Sequence, residues 1–221
     1  MKKELVKRFL SSLIILPIAL LFVIHGSVFF IFFLSTILLI TSYEWIKMSK
    51  KKHFNKIFGV IFLIFSFYSA FQLRNYAGLN FFLFIVLICI FTDIGGYIFG
   101  KIFKGPKLTK ISPNKTYSGV IGSFILPVIA GLVYTNHLEL PLGIIVQLKL
   151  SEISNNYELT FLFFILTISI ISQIGDLIIS YYKRLAKVKD TGKILPGHGG
   201  ILDRVDGLIF VIPILYLFII L

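Results

Sequence analysis

The chain has 221 residues, of which 57% are hydrophobic and only 14% are charged, and its mean hydropathy is +0.94. Soluble domains carry roughly 25% charged residues, so this composition excludes them and indicates an integral membrane protein. The formal net charge of +12 is divided among short segments between apolar runs, which favours anionic lipids and substrates over nucleic acid. The single cysteine, Cys89, lies within an apolar run, so neither a disulfide nor a cysteine metal site is predicted.

The first 26 residues resemble a secretory signal, since a basic start precedes an apolar core. No small-x-small cleavage site follows this core, and a second long apolar run begins almost at once at Val28. We therefore expect the segment to be retained as the first membrane helix.

Seven apolar stretches are candidate membrane helices, because a helical span needs about 20 mostly apolar residues. They lie at residues 9–24, 27–46, 57–74, 79–100, 117–135, 157–182 and 207–221. The apolar stretch around Pro141 is too short and too interrupted to count as a span. We predict an all-α, polytopic membrane protein with about seven transmembrane helices. It forms one domain, 1–221, with an N-terminal three-helix part (1–78) and a motif-bearing catalytic part (79–221).

Basic residues predict the sidedness of these spans, because lysine and arginine concentrate in cytoplasmic loops. With a cytoplasmic N-terminus, 20 of the 22 basic residues fall on the cytoplasmic side, and only Arg74 and Lys149 fall opposite. We therefore predict a cytoplasmic N-terminus and a C-terminus on the opposite side of the bilayer. The two large polar loops, 101–115 and 183–204, would then face the cytoplasm.

Glutamates and aspartates lie in different parts of the chain. The glutamates lie at segment ends and in loops and are interpreted as solvated interfacial charges: Glu4, Glu44, Glu139, Glu152 and Glu158. The aspartates lie toward cytoplasmic helix ends or in the adjoining loops: Asp93, Asp176, Asp190, Asp203 and Asp206. Asp93 and Asp176 are followed by further apolar residues, which predicts a position below the headgroups. A carboxylate at that depth usually faces a cavity, a cation or a partner.

Helical spacing places four polar residues on one face of the sixth span, namely Asp176, Ser180, Lys183 and Lys187. It likewise places Asp203 and Asp206 on one face of the seventh. Pairing within the helix, snorkelling lysines and a favourable helix dipole are the structural alternatives. Three aspartates converging from two helices would make an oxygen-rich site of the kind that Mg²⁺ prefers. No cluster of histidine or cysteine indicates zinc.

Glycines flank His198 just before the aspartate pair, at Gly197, Gly199 and Gly200. Glycine lets backbone amides approach a phosphate closely, although a simple turn explains such a cluster equally well. For His198, a structural hydrogen bond and a contact to substrate are both open. In the loop 101–115, Lys115 of the "SPNKT" turn is the strongest candidate for binding phosphate.

The stretch "SYYKRLAKVKDTGKILPGHGGILDRVD", from Ser180 to Asp206, resembles the signature of the phosphatidate cytidylyltransferases, or CDP-diacylglycerol synthases, at every fixed position. The segments "SQIGDL", "TDIGGYIFGKIFKG" and "ISPNKTYSG" support the resemblance, which covers the second half of the chain. The first three helices agree only in being hydrophobic. Many members carry an acidic residue where this chain has Ser118, so no role is carried over to that position.

The resemblance implies that CTP and phosphatidate react to give CDP-diacylglycerol and pyrophosphate, with Mg²⁺ required. The predicted sidedness puts this reaction at the cytoplasmic face, and the short chain without a targeting extension favours the bacterial inner membrane. It implies a catalytic set of Asp176, Lys183, Asp203 and Asp206, in which the three aspartates bind the metal. The implied substrate contacts are Lys115, Arg184, Lys189, His198, Gly199, Gly200, Arg204 and Asp93. Asp93 would line the nucleotide cavity or belong to a second cation site. A salt bridge that orients Lys189 is one alternative for Asp190, whose role is left open, as is a homo-oligomer.

Two other functions are compatible with the same residues. A CTP-dependent polyprenol kinase would use the same Mg²⁺–nucleotide chemistry but would transfer the γ-phosphoryl group. An ion-coupled transporter belongs to a different class and predicts carboxylates near the bilayer midplane, whereas the aspartates here cluster toward one face.

Overall fold

The computed structural model describes residues 17–49, 53–109, 112, 115–137, 157–194 and 199–220. Their helices, in chain order, are α1 (17–25), α2 (Ser27–Met48), α3 (His53–Phe103), α4 (Tyr117–His137), α5 (Tyr157–Leu185), α6 (Leu202–Val205) and α7 (Leu208–Ile220). Within these ranges no strand is present, and an isolated antiparallel bridge joins Lys107 and Thr116. The all-α prediction is confirmed.

Four of the described helices, α2 to α5, are long and apolar enough to cross a membrane, judged by length and composition. At 51 residues, α3 would run roughly 75 Å if straight, more than twice the hydrocarbon thickness of about 30 Å. Its backbone is non-helical at Gly78 (φ 84°, ψ 169°), a conformation open mainly to glycine. This break separates 53–77 from 79–103, which contain the two predicted spans 57–74 and 79–100.

The chain divides into two compact units, one formed by residues 1–71 with 182–206 and the other by 72–181 with 207–221. In the first unit, Trp45 near the end of α2 contacts both the start of α3 and the end of α5. Its indole N–H donates to the Asn55 carbonyl (2.9 Å), and its ring packs edge-on against Tyr182 at 4.9 Å between centroids. A Cβ at Gly59 would lie 1.9 Å from the Trp45 ring, so α2 and the start of α3 approach closely only because residue 59 is glycine.

In the second unit, glycines bring the backbones of α3 and α4 together. A Cβ at Gly95 would lie 2.2 Å from the Gly122 carbonyl oxygen, and one at Gly119 would lie 2.8 Å from that of Gly96. Small residues at such crossings are typical of helix pairs in membranes, where close van der Waals packing drives association. A hydrogen bond from Thr92 Oγ1 to Ser169 Oγ (3.1 Å) adds a polar contact between α3 and α5.

Candidate active site

Asp176 of α5 is paired with a cation. Its Oδ2 lies 2.5 Å from Lys115 Nζ, and about a quarter of each side chain is exposed. Ser180 Oγ, one turn further along α5, donates to Asp176 Oδ1 (3.2 Å). The structure therefore brings together two predicted site residues, Asp176 and Lys115, and shows that Ser180 bonds to the carboxylate within the helix.

The loop before α4 holds Lys115 in place through its backbone. The Lys115 carbonyl accepts from Leu108 N (2.8 Å), and its own N–H donates to the Ser112 carbonyl (3.1 Å). The next residue, Thr116, accepts the Gly119 N–H on its hydroxyl (3.2 Å), which is the usual bond of a helix N-cap. Lys115 therefore extends from a turn fixed on both sides rather than from a free loop.

Asp203 of α6 lies at the centre of a second, more enclosed cluster. Its Oδ1 is 2.9 Å from Lys183 Nζ, and these side chains are only 7% and 11% exposed, respectively. Its Oδ2 accepts from Thr191 N (2.8 Å), Thr191 Oγ1 (3.1 Å) and Gly200 N (3.0 Å). Both carboxylate oxygens are thus hydrogen-bonded, and a second pair of predicted site residues, Lys183 and Asp203, is in direct contact.

Glu44 was missed by the sequence analysis, and its interpretation as a solvated interfacial charge is wrong. The residue is fully buried (0% exposed) on α2. Its Oε1 accepts from Ile201 N (3.1 Å), and its Oε2 accepts from Leu202 N (2.8 Å) and Thr191 Oγ1 (3.0 Å). No local sequence signal pointed to Glu44; the structure supplies the reason for its burial, because α6 begins after Ile201, which has no side-chain acceptor to cap the helix, so its amides need an acceptor from elsewhere.

The glycines of the predicted phosphate loop lie against carboxylates of the protein itself. Gly199 has a φ of +84°, and a Cβ there would be 2.9 Å from Asp203 Oδ2. A Cβ at Gly200 would be 2.2 Å from Thr191 Oγ1 and 2.5 Å from Glu44 Oε2. Glycine is therefore required here for close packing, and the contact of these glycines with substrate stays a prediction.

The remaining predicted substrate contacts are exposed or lie outside the described residues. The side chains of Arg184, Lys189, Arg204 and Asp93 are exposed, while His198 lies outside the described residues. The Arg184 guanidinium donates to the Val188 carbonyl at 3.5 Å. Their roles in binding CTP or phosphatidate stay predictions.

The predicted magnesium ligands fit the ion in kind, because carboxylate oxygens are what Mg²⁺ prefers. Asp176 and Asp203 each carry a lysine ammonium on one oxygen, and Asp206 is buried in the turn after α6. Among the described residues, no group of three or more His, Cys, Asp or Glu side chains is arranged to hold a metal ion. The Mg²⁺ set stays a prediction.

Long apolar helices indicate an integral membrane protein, and its described residues include two lysine–aspartate pairs and a glycine-containing turn packed on carboxylates. Residues 53–221 match the family model described as the cytidylyltransferase family. The chain belongs to this family, which confirms the resemblance carried by the signature.

Curated relatives named phosphatidate cytidylyltransferase share substantial identity with the chain. The one from Staphylococcus haemolyticus is 42% identical over 139 residues, which are 62% of this chain and 48% of the relative. The one from Brucella suis biovar 1 is 40% identical over 162 residues, which are 71% of this chain and 54% of the relative. The chain thus spans about half the length of the curated relatives it matches.

Proposed function

We propose that this chain is a phosphatidate cytidylyltransferase, which transfers CMP from CTP to phosphatidate and gives CDP-diacylglycerol and pyrophosphate for phospholipid biosynthesis. The observation that carries the proposal is that the family match, over 53–221, includes both lysine–aspartate pairs. Relatives that bear the same activity in their names are 40–42% identical to the chain. The substrates of the proposed reaction are therefore CTP and phosphatidate.

The chemistry joins two polyanions. A phosphate oxygen of phosphatidate attacks the α-phosphorus of CTP, the new P–O bond forms, and the bond between the α-phosphorus and the bridging oxygen breaks to release pyrophosphate. A phosphate monoester has a second pKa of about 6, so the attacking group is largely dianionic at neutral pH and needs no general base. The protein's task is to position the phosphates and to stabilise developing negative charge.

Lys115 and Lys183 are the residues proposed for that task. Each ammonium group is held by an aspartate, and Lys115 is further fixed by its backbone hydrogen bonds. An ammonium that is already oriented loses less side-chain freedom when a phosphate arrives than a lysine extended into solvent. Arg184, Lys189 and Arg204 are proposed to add positive charge from exposed positions.

The proposal includes Mg²⁺, with Asp176, Asp203 and Asp206 as its ligands. When bound, the ion would neutralise charge on the departing pyrophosphate and provide a template for phosphate oxygens. The carboxylate donors and the signature support this assignment. Lys115 and Lys183, which are paired with Asp176 and Asp203, would contact the phosphate oxygens beside the ion.

We also propose that the protein lies in the bacterial inner membrane with its reactive loops on the cytoplasmic side, where CTP is found. The distribution of 20 of 22 basic residues supports this sidedness. The break at Gly78 supports counting α3 as two spans, which brings the number of crossings toward the predicted seven.

The decisive experiment uses the full chain in detergent–phosphatidate micelles with Mg²⁺ and CTP labelled at the α- or the γ-phosphate. We expect lipid-soluble label from α-labelled CTP only. Transfer from γ-labelled CTP to phosphatidate or to added polyprenol would indicate a kinase instead. No lipid label from either CTP, while the Staphylococcus haemolyticus relative is active in the same assay, would contradict the proposal.

A further inference from the structure

We infer that Glu44 of α2 is a positioning residue for the segment that carries Lys183 and Asp203. The family match begins at residue 53, so Glu44 precedes the part of the chain that the family defines. It is nevertheless fully buried and bonded to residues far along the sequence. The catalytic aspect of this inference rests on the proposed function. We call residues 189–201 the signature loop; its described parts are 189–194 and 199–201.

The first step is that Glu44 supplies acceptors for two amides where the signature loop meets α6. The opening amides of a helix have no partner within the helix, and Ile201 at the start of α6 offers no side-chain oxygen. Glu44 Oε1 and Oε2 accept the N–H groups of Ile201 (3.1 Å) and Leu202 (2.8 Å). The end of the signature loop and the start of α6 are therefore tied to α2 by one carboxylate.

The second step links Glu44 to the predicted catalytic aspartate. Thr191 Oγ1 lies 3.0 Å from Glu44 Oε2 and 3.1 Å from Asp203 Oδ2, so its single hydroxyl proton is within hydrogen-bond distance of both carboxylates and is shared between them. The Thr191 N–H donates to the same Asp203 oxygen (2.8 Å), and Asp203 Oδ1 holds Lys183. Displacing the Glu44 carboxylate would thus shift Thr191 and, through it, the Asp203–Lys183 pair. Among the described residues, the hydrogen bonds of Glu44 run to groups of the signature loop and α6, so Glu44 acts through them and is a positioning residue.

The third step is independent of hydrogen bonds. A Cβ at Gly192 would lie 2.3 Å from Glu44 Oε1, and one at Gly200 would lie 2.5 Å from Glu44 Oε2. The backbone of the signature loop closes on the carboxylate at two separate points, and both are glycine. The loop is therefore built around the Glu44 side chain rather than merely near it.

The test variant is Glu44→Gln, which keeps the side-chain size but replaces one acceptor oxygen by an NH₂ donor. Both carboxylate oxygens accept a backbone N–H, so the amide nitrogen must face at least one donor. We expect hydrogen–deuterium exchange of peptides containing Ile201 and Leu202 to be about 10-fold faster or more. For cytidylyl transfer, kcat should fall roughly 10- to 100-fold, the usual effect of losing an outer partner of a site ligand, while the KM for CTP changes less.

Two variants serve as controls. Thr41→Val alters another fully buried polar residue of α2, whose hydroxyl donates within its own helix to the Ile37 carbonyl (2.8 Å). It should leave both the exchange of the loop peptides and kcat at the wild-type level. Thr191→Val removes the bridging hydroxyl but keeps the two bonds from Glu44 to Ile201 and Leu202. Its kcat should fall while the exchange of those amides stays slow.

Unchanged exchange in a folded Glu44→Gln protein would overturn the inference, as would faster exchange with an unchanged kcat. If Glu44→Gln does not fold, Thr191→Val decides, and an unchanged kcat in that variant overturns the positioning role. If the wild-type protein transfers no cytidylyl group, faster exchange in Glu44→Gln still supports Glu44 as the anchor of the signature loop. In that case the proposed function fails and the anchoring does not.

Discussion

At the scale of single residues, the two lysine–aspartate pairs have different energetic weight. The Lys183–Asp203 pair is only 7–11% exposed, whereas about a quarter of each partner is exposed in the Lys115–Asp176 pair. Removing one partner of a buried pair leaves an uncompensated charge and costs roughly 3–5 kcal/mol, while exposed pairs contribute about 0–1 kcal/mol. Burial therefore predicts that the first pair supports both folding and activity, and the second mainly activity.

This difference gives the first prediction. Lys183→Met should lower the free energy of unfolding by roughly 3 kcal/mol or more, because it leaves the Asp203 carboxylate buried without its cation. Lys115→Met should cost about 1 kcal/mol or less. Thermal unfolding in detergent measures both. Equal losses in the two variants would contradict the ranking, and the double variant Lys183→Met/Asp203→Asn should recover stability without recovering activity.

The second prediction concerns the proposed metal ligands. Asp176→Asn and Asp203→Asn should each slow cytidylyl transfer by roughly 100-fold or more at saturating Mg²⁺, because each removes an anionic oxygen donor from the proposed site. Initial rates over a Mg²⁺ titration provide the measurement. Glu158→Gln removes a charge from an exposed residue of the same α5 and should keep the wild-type rate. A near-normal rate in either aspartate variant would remove that residue from the metal set.

At the scale of elements, the signature loop depends on its glycines for shape. Gly199 combines a φ of +84° with a position where a Cβ would be 2.9 Å from Asp203 Oδ2. Gly105, in the loop before α4, also has a positive φ (+108°). A Cβ added there would have space around it, since the nearest atom would be Ser118 Oγ at 3.9 Å. Alanine variants at these two positions can therefore distinguish the effect of backbone strain from that of crowding against Asp203.

The third prediction uses this comparison. Gly105→Ala should cost about 1–2 kcal/mol from the left-handed backbone alone and leave the rate of cytidylyl transfer nearly unchanged. Gly199→Ala should cost more and should also reduce the rate, because its methyl group displaces the Asp203 carboxylate. Thermal unfolding and steady-state rates of both variants provide the comparison. An active Gly199→Ala protein would show that the position of Asp203 is less constrained than its contacts indicate.

Local patterns predicted the helices well and the site only in part. The spans predicted at 27–46, 117–135 and 157–182 begin with α2, α4 and α5 and end two or three residues early, because runs of apolar side chains are a local property. The signature located Lys183 and Asp203 but not their contact, which depends on the path of the loop between them. Glu44 could not be found in this way, because its partners lie 147 to 158 residues away.

At the scale of the whole molecule, charge distribution predicts a sidedness that can be tested directly. Lys193 lies in the loop predicted to be cytoplasmic, and Tyr76, 60% exposed, lies beside the Gly78 break on the side predicted to be opposite. Each position can carry a single reporter cysteine in a Cys89→Ser background, since Cys89 is the chain's only cysteine.

The fourth prediction is that a membrane-impermeant maleimide labels Tyr76→Cys in cells whose inner membrane is intact. Lys193→Cys should be labelled only after that membrane is permeabilised, because the positively charged loops stay in the cytoplasm. Activity of both variants in isolated membranes serves as the control for folding. Labelling of Lys193→Cys in intact cells would indicate the opposite orientation. The access of cytoplasmic CTP to this loop would then no longer support the proposed function.

The bonds from Glu44 to residues 191, 201 and 202 limit how this protein can be recombined with its relatives. A chimera joined at residue 53, where the family match starts, would exchange α2 and with it the acceptor on which the signature loop rests. We therefore expect α2 to act as more than a membrane anchor. A functional crossover has to fall before α2, or the incoming helix has to bring a glutamate to the same place.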